Sequence, residues 1–162
     1  MRKTTATIFI VLICIIMQGC GVAENEPPPY QSKMVYDNGG STLYTNQLWR
    51  LVAEFMRNEV AAKQKYMGKR IAVDGLISSI YSLSNGDPAL TLGHISTYFV
   101  DCQFPKVFIN DIAQMGTGHY VIVIGTVYDY SSSYTHRRRD SRWAVHLKDC
   151  ILAQPANPEK SQ

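Results

Sequence analysis

Arginine and aromatic residues are concentrated near the C-terminal end of this 162-residue sequence. Residues 131–142 contain four arginines and one aspartate, which gives this segment a formal charge of +3. Planar guanidinium groups pair well with phosphate or carboxylate, and aromatic rings present flat faces to a sugar or a base. The segment therefore predicts an anion-binding site. The candidate ligand-binding residues are Tyr128, Tyr130, Tyr134, Arg137, Arg138, Arg139, Arg142 and Trp143.

Several partners suit this segment. They are an anionic lipid, an envelope glycan or other envelope polyanion, a protein partner and, as the least favoured choice, nucleic acid. The simplest alternative is a long solvated hairpin loop whose charges keep the protein soluble. The residue types alone leave these alternatives open.

Histidine and aspartate residues are the remaining candidates for catalysis or metal binding. The four histidines are scattered, no Cys and His spacing resembles a zinc site, and no serine lies in a Gly-x-Ser-x-Gly pattern. We therefore expect no catalytic residue, no metal and no cofactor, and a hydrolase or nuclease is the less favoured alternative. The aspartates that would suit a nuclease, but lack an accompanying Arg and Glu pattern, are Asp74, Asp101, Asp129 and Asp149.

Cys20 has a clear chemical context. Arg2 and Lys3 give the chain a basic start, and Ile8 to Met17 form a run of ten apolar residues. A membrane-spanning helix needs about 20 apolar residues, so this run has the length of a signal peptide instead. Residues 17–20 (Met-Gln-Gly-Cys) resemble a bacterial lipobox, although Met and Gln stand where other residues are commoner. The resemblance implies cleavage before Cys20 and lipidation of its sulfur.

Lipidation would fix the chain to a membrane. Each buried CH₂ of an acyl chain such as palmitate contributes about 0.8 kcal/mol, so two or three chains hold essentially permanently. Cleavage removes 19 of the 162 residues together with the charges of Arg2 and Lys3, which lowers the net charge from +3 to about +1. That balance predicts no polyanion partner by itself. Gly21 favours the outer membrane in a host that has two, and an ordinary secretory signal or an uncleaved anchor remains the alternative.

A polar segment follows Cys20. It contains Pro27-Pro28-Pro29 and Asn38-Gly39-Gly40-Ser41, with few apolar residues between them. Proline runs stay extended, so residues 20–42 are predicted to be a flexible tether that carries the lipidated cysteine.

Two helices are predicted after the tether. Tyr44, Leu48, Leu51, Val52 and Phe55 recur at helical spacing and form one apolar stripe. Asn58 is placed to cap a second, shorter helix that runs to Tyr66, and Gly68 ends it.

From residue 70 the apolar period changes to two, which predicts strands. Two of the strands carry a central glycine, Gly75 and Gly125, as a small barrel needs where its strands coil tightly. A short helix is predicted over 107–115, and 131–142 is predicted to be a loop. The five predicted strands span residues 71–77, 90–92, 99–104, 120–130 and 143–152.

The order of these elements and a set of local motifs resemble the OB-fold proteins described as tRNA-anticodon-binding-domain-like. The resemblance covers about residues 44–153. It implies a mainly β, α+β domain: a five-stranded OB-fold barrel with a helical lead-in and a short helix between strands 3 and 4. The motif residues are Asn58-Glu59, Ala62, Tyr66, Gly68-Lys69-Arg70, Val73-Asp74-Gly75, Cys102, Phe104, Gly125, Val127 and Asp149-Cys150.

The resemblance also bears on the two cysteines that remain in the exported chain, Cys102 and Cys150. In an oxidising compartment they either pair or stay buried as free thiols, and composition leaves both open. Strands 3 and 5 of an OB-fold are neighbours, so the resemblance implies a disulfide between Cys102 and Cys150.

These observations predict four parts: a signal peptide (1–19), the lipidated cysteine and tether (20–42), an OB-fold domain (43–153) and a disordered tail (154–162). We expect an exported, non-enzymatic lipoprotein whose binding module contacts an anionic envelope component or a protein. The alternative is a structural or exclusion lipoprotein that acts by protein–protein contact. Nucleic acid is an improbable partner, because fold analogy alone does not establish function and an exported protein ordinarily does not meet nucleic acid.

Overall fold

A computed structural model describes residues 32–37, 42–93, 97–135 and 140–155. The predictions for the signal peptide, for Cys20 and for Arg137, Arg138 and Arg139 lie outside the described residues, as do most of the predicted tether and tail. Within the described ranges, no helix combines the length and the apolar character that a membrane crossing requires.

The described chain is mainly β with a few helices, as predicted. The helices are α1 (Leu48–Arg57), α2 (Glu59–Tyr66) and α3 (Ile109–Ala113), and a 3₁₀ turn at Lys106–Phe108 precedes α3. The strands are β1 (Met34–Tyr36), β2 (Thr42–Gln47), β3 (Arg70–Ser82), β4 (Pro88–Gly93), β5 (Tyr98–Gln103), β6 (Tyr120–Thr135), β7 (Asp140–Leu152) and β8 (Gln154–Pro155).

Strands β3 to β7 pair in a closed cycle. The neighbours are β3–β4, β4–β5, β5–β7, β7–β6 and β6–β3, and β5–β7 is the parallel pair among them. The cycle closes because β3 is 13 residues long. Its first half, Arg70 to Leu76, pairs with β6, and its second half, Ile77 to Ser82, pairs with β4, with an irregularity at Ser78. The short helix lies between β5 and β6, as predicted.

Helix α1 packs its apolar stripe into the main core. Leu48, Leu51, Val52 and Phe55 are buried, as predicted. Tyr44 is not part of this helix: it lies in β2 and is 63% exposed. The chain is extended here because the second half of β2 pairs in parallel with β3. The predicted cap of α2 is confirmed, since Asn58 Oδ1 accepts a hydrogen bond from the backbone N–H of Ala61 at 3.1 Å.

The N-terminal strands cover a second, smaller core. Val35 of β1 is fully buried against Ala72, Ile124 and Ile151. Residues 34–36, which the sequence placed in the tether, therefore belong to the sheet. The first two residues of the predicted tail, Gln154–Pro155, likewise form β8 and pair with β1.

Gly125 marks a close approach of two strands. A Cβ atom at this position would lie 2.6 Å from Cys150 Sγ and 3.0 Å from Leu147 Cβ. The approach arises at an irregularity in β7, where the backbone of Asp149 adopts a positive φ of 53°. Glycine is required here because a side chain would overlap the buried sulfur.

Cys102 and Cys150 lie on adjacent strands, β5 and β7, and both are fully buried. Cys102 is directly opposite Leu147 in the ladder. Both cysteines are free thiols in this structure. Burial raises the pKa of Cys102 well above its usual value, and the contact with Cys150 raises it further. The disulfide between them stays a prediction.

Candidate ligand-binding face

Polar and aromatic side chains from five strands meet on one outer side of the sheet, which we call the outer face. The pairing registers bring them together: Asp101 of β5 is opposite His146 of β7, and Thr91 of β4 is opposite Asp101. The outer face consists of Tyr81, Thr91, Phe99, Asp101, Gln103, Tyr128, Ser131, Arg142 and His146.

Asp101 contacts three other side chains of the outer face. Its Oδ1 accepts a hydrogen bond from the Thr91 hydroxyl at 2.6 Å and lies 3.5 Å from an Arg142 guanidinium nitrogen. Its Oδ2 lies 3.5 Å from His146 Nδ1. The carboxylate is largely buried, so these partners compensate part of the cost of removing its charge from water.

Arg142 remains available to a ligand. Its guanidinium carbon lies 4.4 Å from the centroid of the Phe99 ring, a cation–π arrangement that fixes the position of the group. The side chain is nevertheless 51% exposed. A single ion pair at 3.5 Å whose guanidinium is half exposed is weak, so a phosphate or carboxylate can bind the exposed side of Arg142.

Tyr128 and Tyr81 add aromatic surface to the same face. Gln103 Nε2 donates a hydrogen bond to the Tyr128 hydroxyl at 2.5 Å, and the Tyr128 ring centroid lies 6.0 Å from that of His146. Burial raises the pKa of Tyr128, and the nearby carboxylates of Asp129 and Asp101 raise it further. Burial and Asp101 likewise raise the pKa of Tyr81. Both hydroxyls therefore stay protonated at neutral pH.

Ser131, His146 and Asp101 stand in the order of an acyl-transfer triad. Ser131 Oγ lies 2.7 Å from His146 Nε2, and the other ring nitrogen faces Asp101 at 3.5 Å. The second separation is beyond a normal N–H···O hydrogen bond, so the carboxylate does not hold the imidazole as a general base requires. Ser131 is exposed on a strand. The described geometry supports a hydrogen-bonded surface more than a nucleophile.

Of the residues proposed from the sequence, two lie on the outer face and two do not. Tyr128 and Arg142 are on it. Tyr130 and Trp143 point into the core, where Tyr130 stacks on Phe55 with ring centroids 4.9 Å apart and Trp143 stacks on Tyr130 at 6.4 Å. The backbone of Tyr134 lies in β6, and its side chain is outside the described residues, as are Arg137, Arg138 and Arg139.

The connection between β6 and β7 is shorter than predicted. The two strands stay paired as far as Thr135 and Asp140, so most of the predicted 131–142 loop is a two-stranded extension. Strand alternation continues through this extension. It explains why Arg142 and Trp143, which are neighbours in sequence, face opposite sides.

Several outer-face residues were not among the ligand-binding residues predicted from the sequence. Asp101 and His146 are 45 positions apart and meet through the parallel β5–β7 pairing. The alternation of β5, in which Val100 and Cys102 are buried, was the available signal that Phe99, Asp101 and Gln103 face outward. In the parts of the chain that the structure describes, no group of three or more His, Cys, Asp or Glu residues is arranged to hold a metal ion.

Comparison with known proteins gives one family match. The family described as tRNA_anti-like matches residues 1–139, which include the basic and apolar N-terminus and end before β7. No curated protein matches the chain.

Solved structures resemble the chain in fold. A lipoprotein of Klebsiella pneumoniae subsp. pneumoniae MGH 78578, named provisionally as nucleic acid-binding, is 17% identical, with 69% of this chain and 92% of that chain covered and a TM-score of 0.52. A provisionally named aspartyl-tRNA synthetase of Leishmania major Friedlin is 14% identical, with 82% and 23% covered and a TM-score of 0.45. The aspartyl-tRNA synthetase of Entamoeba histolytica is 12% identical, with 71% and 22% covered and a TM-score of 0.43. The chain thus spans less than a quarter of either synthetase, and the lipoprotein is the likeness that supports the fold.

Proposed function

We propose, from the premise that this chain belongs to the tRNA_anti-like family, that it is a non-enzymatic OB-fold binding module displayed from a membrane through a lipid on Cys20. Strands β3 to β7 form the barrel, and the outer face binds an anionic component of the cell envelope. The observation that carries the proposal is the Arg142 guanidinium, which lies over Phe99, is half exposed and shares the outer face with Tyr128 and His146.

The strand order supports the barrel. The cycle β3–β4–β5–β7–β6 contains the parallel pair and the intervening helix that an OB-fold requires. OB-folds bind ligands on the face of their second and third strands, which are β4 and β5 here. Thr91, Phe99, Asp101 and Gln103 come from these two strands. The likeness to the Klebsiella lipoprotein supports the same fold.

Charge favours an anion. Arg142 and Asp101 offset each other within the described face, and the sequence adds Arg137, Arg138 and Arg139 on the connection that follows β6. Guanidinium groups beside aromatic rings suit phosphate, sulfate or carboxylate carried on a sugar or a lipid headgroup. A lipid on Cys20 would restrict the partner to those near one membrane surface. We therefore favour an envelope component over nucleic acid.

The binding test uses soluble anions with the purified chain at two salt concentrations. The probes are glycerol-phosphate oligomers for a lipid headgroup, dextran sulfate for a glycan and oligothymidylate for nucleic acid. We expect glycerol phosphate or dextran sulfate to bind more tightly than oligothymidylate, and to bind more weakly at the higher salt because screening weakens exposed contacts.

The matched variants are Arg142→Ala on the outer face and Arg57→Ala on α1. Arg142→Ala should weaken binding by about tenfold or more, as loss of one hydrogen bond to a charged group predicts, and Arg57→Ala should leave it unchanged. Replacing Arg137, Arg138 and Arg139 by alanine should weaken it further. If no anion binds at low salt, or if Arg142→Ala and Arg57→Ala lose the same amount of anion affinity, the outer face is not the site. Protein–protein contact, as in a structural or exclusion lipoprotein, is then favoured.

Two further measurements test the remaining parts of the proposal. Cys20→Ser should abolish incorporation of labelled palmitate and leave the precursor uncleaved, whereas Cys14→Ser should change neither. The non-enzymatic assignment predicts no labelling of Ser131 by a fluorophosphonate, a reagent that reacts with activated serines. Covalent labelling of Ser131 that disappears in His146→Ala would contradict the non-enzymatic assignment and would indicate a serine hydrolase.

A further inference from the structure

A cavity of about 650 Å³ lies where β2 ends and α1 begins, against the middle of β3. None of the outer-face residues lines it, so it is a separate site. Its volume falls within the range of roughly 300 to 1,000 Å³ that small-molecule sites occupy. Most of its wall is apolar, and the large apolar side chains that line it are Leu48, Trp49, Leu76 and Tyr98.

Three polar side chains are linked by hydrogen bonds at one end of this cavity. Lys33 Nζ donates a hydrogen bond to the Tyr120 hydroxyl at 3.0 Å and lies 4.4 Å from the centroid of its ring. The Tyr120 hydroxyl in turn donates a short hydrogen bond to Asp74 Oδ2. Asp74 is buried, and desolvation and this carboxylate raise the pKa of Tyr120 far above its usual value. The tyrosine therefore stays a neutral donor between one cation and one anion.

Two large aromatic residues of the lining are exposed. Trp49 is 43% exposed and Tyr120 is 50% exposed, although both border an apolar space. Exposed apolar surface around a concave site marks a ligand or partner, because covering it removes that surface from water. A ligand in this cavity would cover both rings.

We propose that this cavity binds a neutral, largely apolar small molecule that carries one hydrogen-bonding group. That group contacts the hydrogen-bonded side chains of Lys33, Tyr120 and Asp74. A carboxylate that paired with Lys33 would also lie near the buried Asp74, and an ammonium that paired with Asp74 would also lie near Lys33. Each charged group would therefore meet repulsion beside attraction and would lose more hydration than a hydroxyl does. A hydroxyl both donates and accepts, so it can insert beside the Tyr120 hydroxyl without leaving a buried polar atom unpaired.

The test uses N-phenyl-1-naphthylamine, a neutral apolar dye with one N–H group whose fluorescence rises in apolar surroundings. The purified chain should give a saturable increase that fits one site. Octanol should displace the dye at a concentration at least tenfold lower than octanoate or octylammonium at neutral pH. Equal displacement by octanoate would contradict the neutral ligand class, and absence of a saturable signal would overturn the site.

Variants locate the binding. Leu76→Trp fills the cavity and should weaken dye binding at least tenfold. Tyr120→Phe keeps the ring and removes the hydroxyl, so it should reduce the preference for octanol over an alkane of equal length by about threefold or more. Tyr36→Phe, at an exposed tyrosine of β1 that belongs neither to the cavity wall nor to the outer face, is the matched control and should change neither value. Unchanged dye binding in a folded Leu76→Trp protein would place the dye elsewhere, for example on the apolar N-terminus, and would overturn the proposal.

Discussion

Tyr128 and Tyr130 are two residues apart in β6, yet they belong to different regions of the molecule. Tyr130 is in the core, stacked on Phe55, and its hydroxyl has no hydrogen-bond partner within the described part of the chain. Tyr128 lies on the outer face, and its hydroxyl accepts a hydrogen bond from Gln103. The core region is held by apolar contact, whereas the outer face is held by hydrogen bonds and charge.

A one-residue irregularity in the β6–β7 ladder separates the two tyrosines. Val127 pairs with Leu147, but Asp129 pairs with His146, so β6 has an extra residue, Tyr128, between them. In a regular strand, residues two apart share a face. The bulge reverses that rule and turns Tyr128 outward while Tyr130 points inward.

The core region should be the more sensitive to truncation. Phe55 is buried between Tyr66 and Tyr130, so Phe55→Ala should lower the free energy of unfolding by about 3–5 kcal/mol. Phe99→Ala on the outer face should cost about 1 kcal/mol, because its ring is only half-buried. Urea unfolding measures both. Equal losses would mean that the outer face is also a packed core.

The second prediction for the core concerns a disulfide between its two buried cysteines. Oxidation of Cys102 and Cys150 would form one S–S bond and release two protons and two electrons to an oxidant. In the chain exported to an oxidising compartment, we expect neither sulfur to react with a maleimide after denaturation without reductant. Reduction should then lower stability by about 2–4 kcal/mol. Labelling of both sulfurs before reduction would show that the core keeps free thiols.

A Cβ atom added at Gly125 should destabilise the protein more than one added at Gly75. Gly125→Ala places a Cβ 2.6 Å from Cys150 Sγ and should cost about 1–3 kcal/mol. Gly75→Ala meets the flexible end of Leu48 at 3.3 Å and should cost less. In a Cys150→Ala background the cost of Gly125→Ala should fall, because the obstructing sulfur is gone. Equal costs in both backgrounds would assign the effect to the backbone instead.

The sequence carried much of the fold because the information is local. The apolar stripe of α1, the Asn58 cap and the alternation of the main strands all depend on residues within a few positions of one another. Strand β1 was missed because three residues with one buried side chain, Val35, show no periodicity. Its burial depends on Ala72, Ile124 and Ile151, which are distant in sequence.

The candidate site was harder to predict than the fold. Arg142 and Trp143 could have been assigned to opposite faces, since adjacent strand residues alternate. The bulge at Tyr128 could not have been predicted, because the amino-acid composition around it is that of an ordinary strand. Asp101 and His146 meet only through the β5–β7 pairing, which sequence spacing does not reveal.

The smallest expected effect separates the two tyrosines most directly. Tyr128→Phe removes the acceptor of Gln103 and should lower the free energy of unfolding by about 0.5–1.5 kcal/mol. Tyr130→Phe removes a buried hydroxyl without a described partner, so stability should stay the same or rise by up to about 1 kcal/mol. Burial raises the pKa of Tyr130 above its unfolded-state value of about 10, so the native state loses stability relative to the unfolded state as pH rises from about 10 through the folded-state pKa. The advantage of Tyr130→Phe should therefore be larger at pH 10.5 than at pH 8 in urea unfolding. A loss of stability in Tyr130→Phe at both pH values would show that its hydroxyl is hydrogen-bonded, and that the core is not apolar at this point.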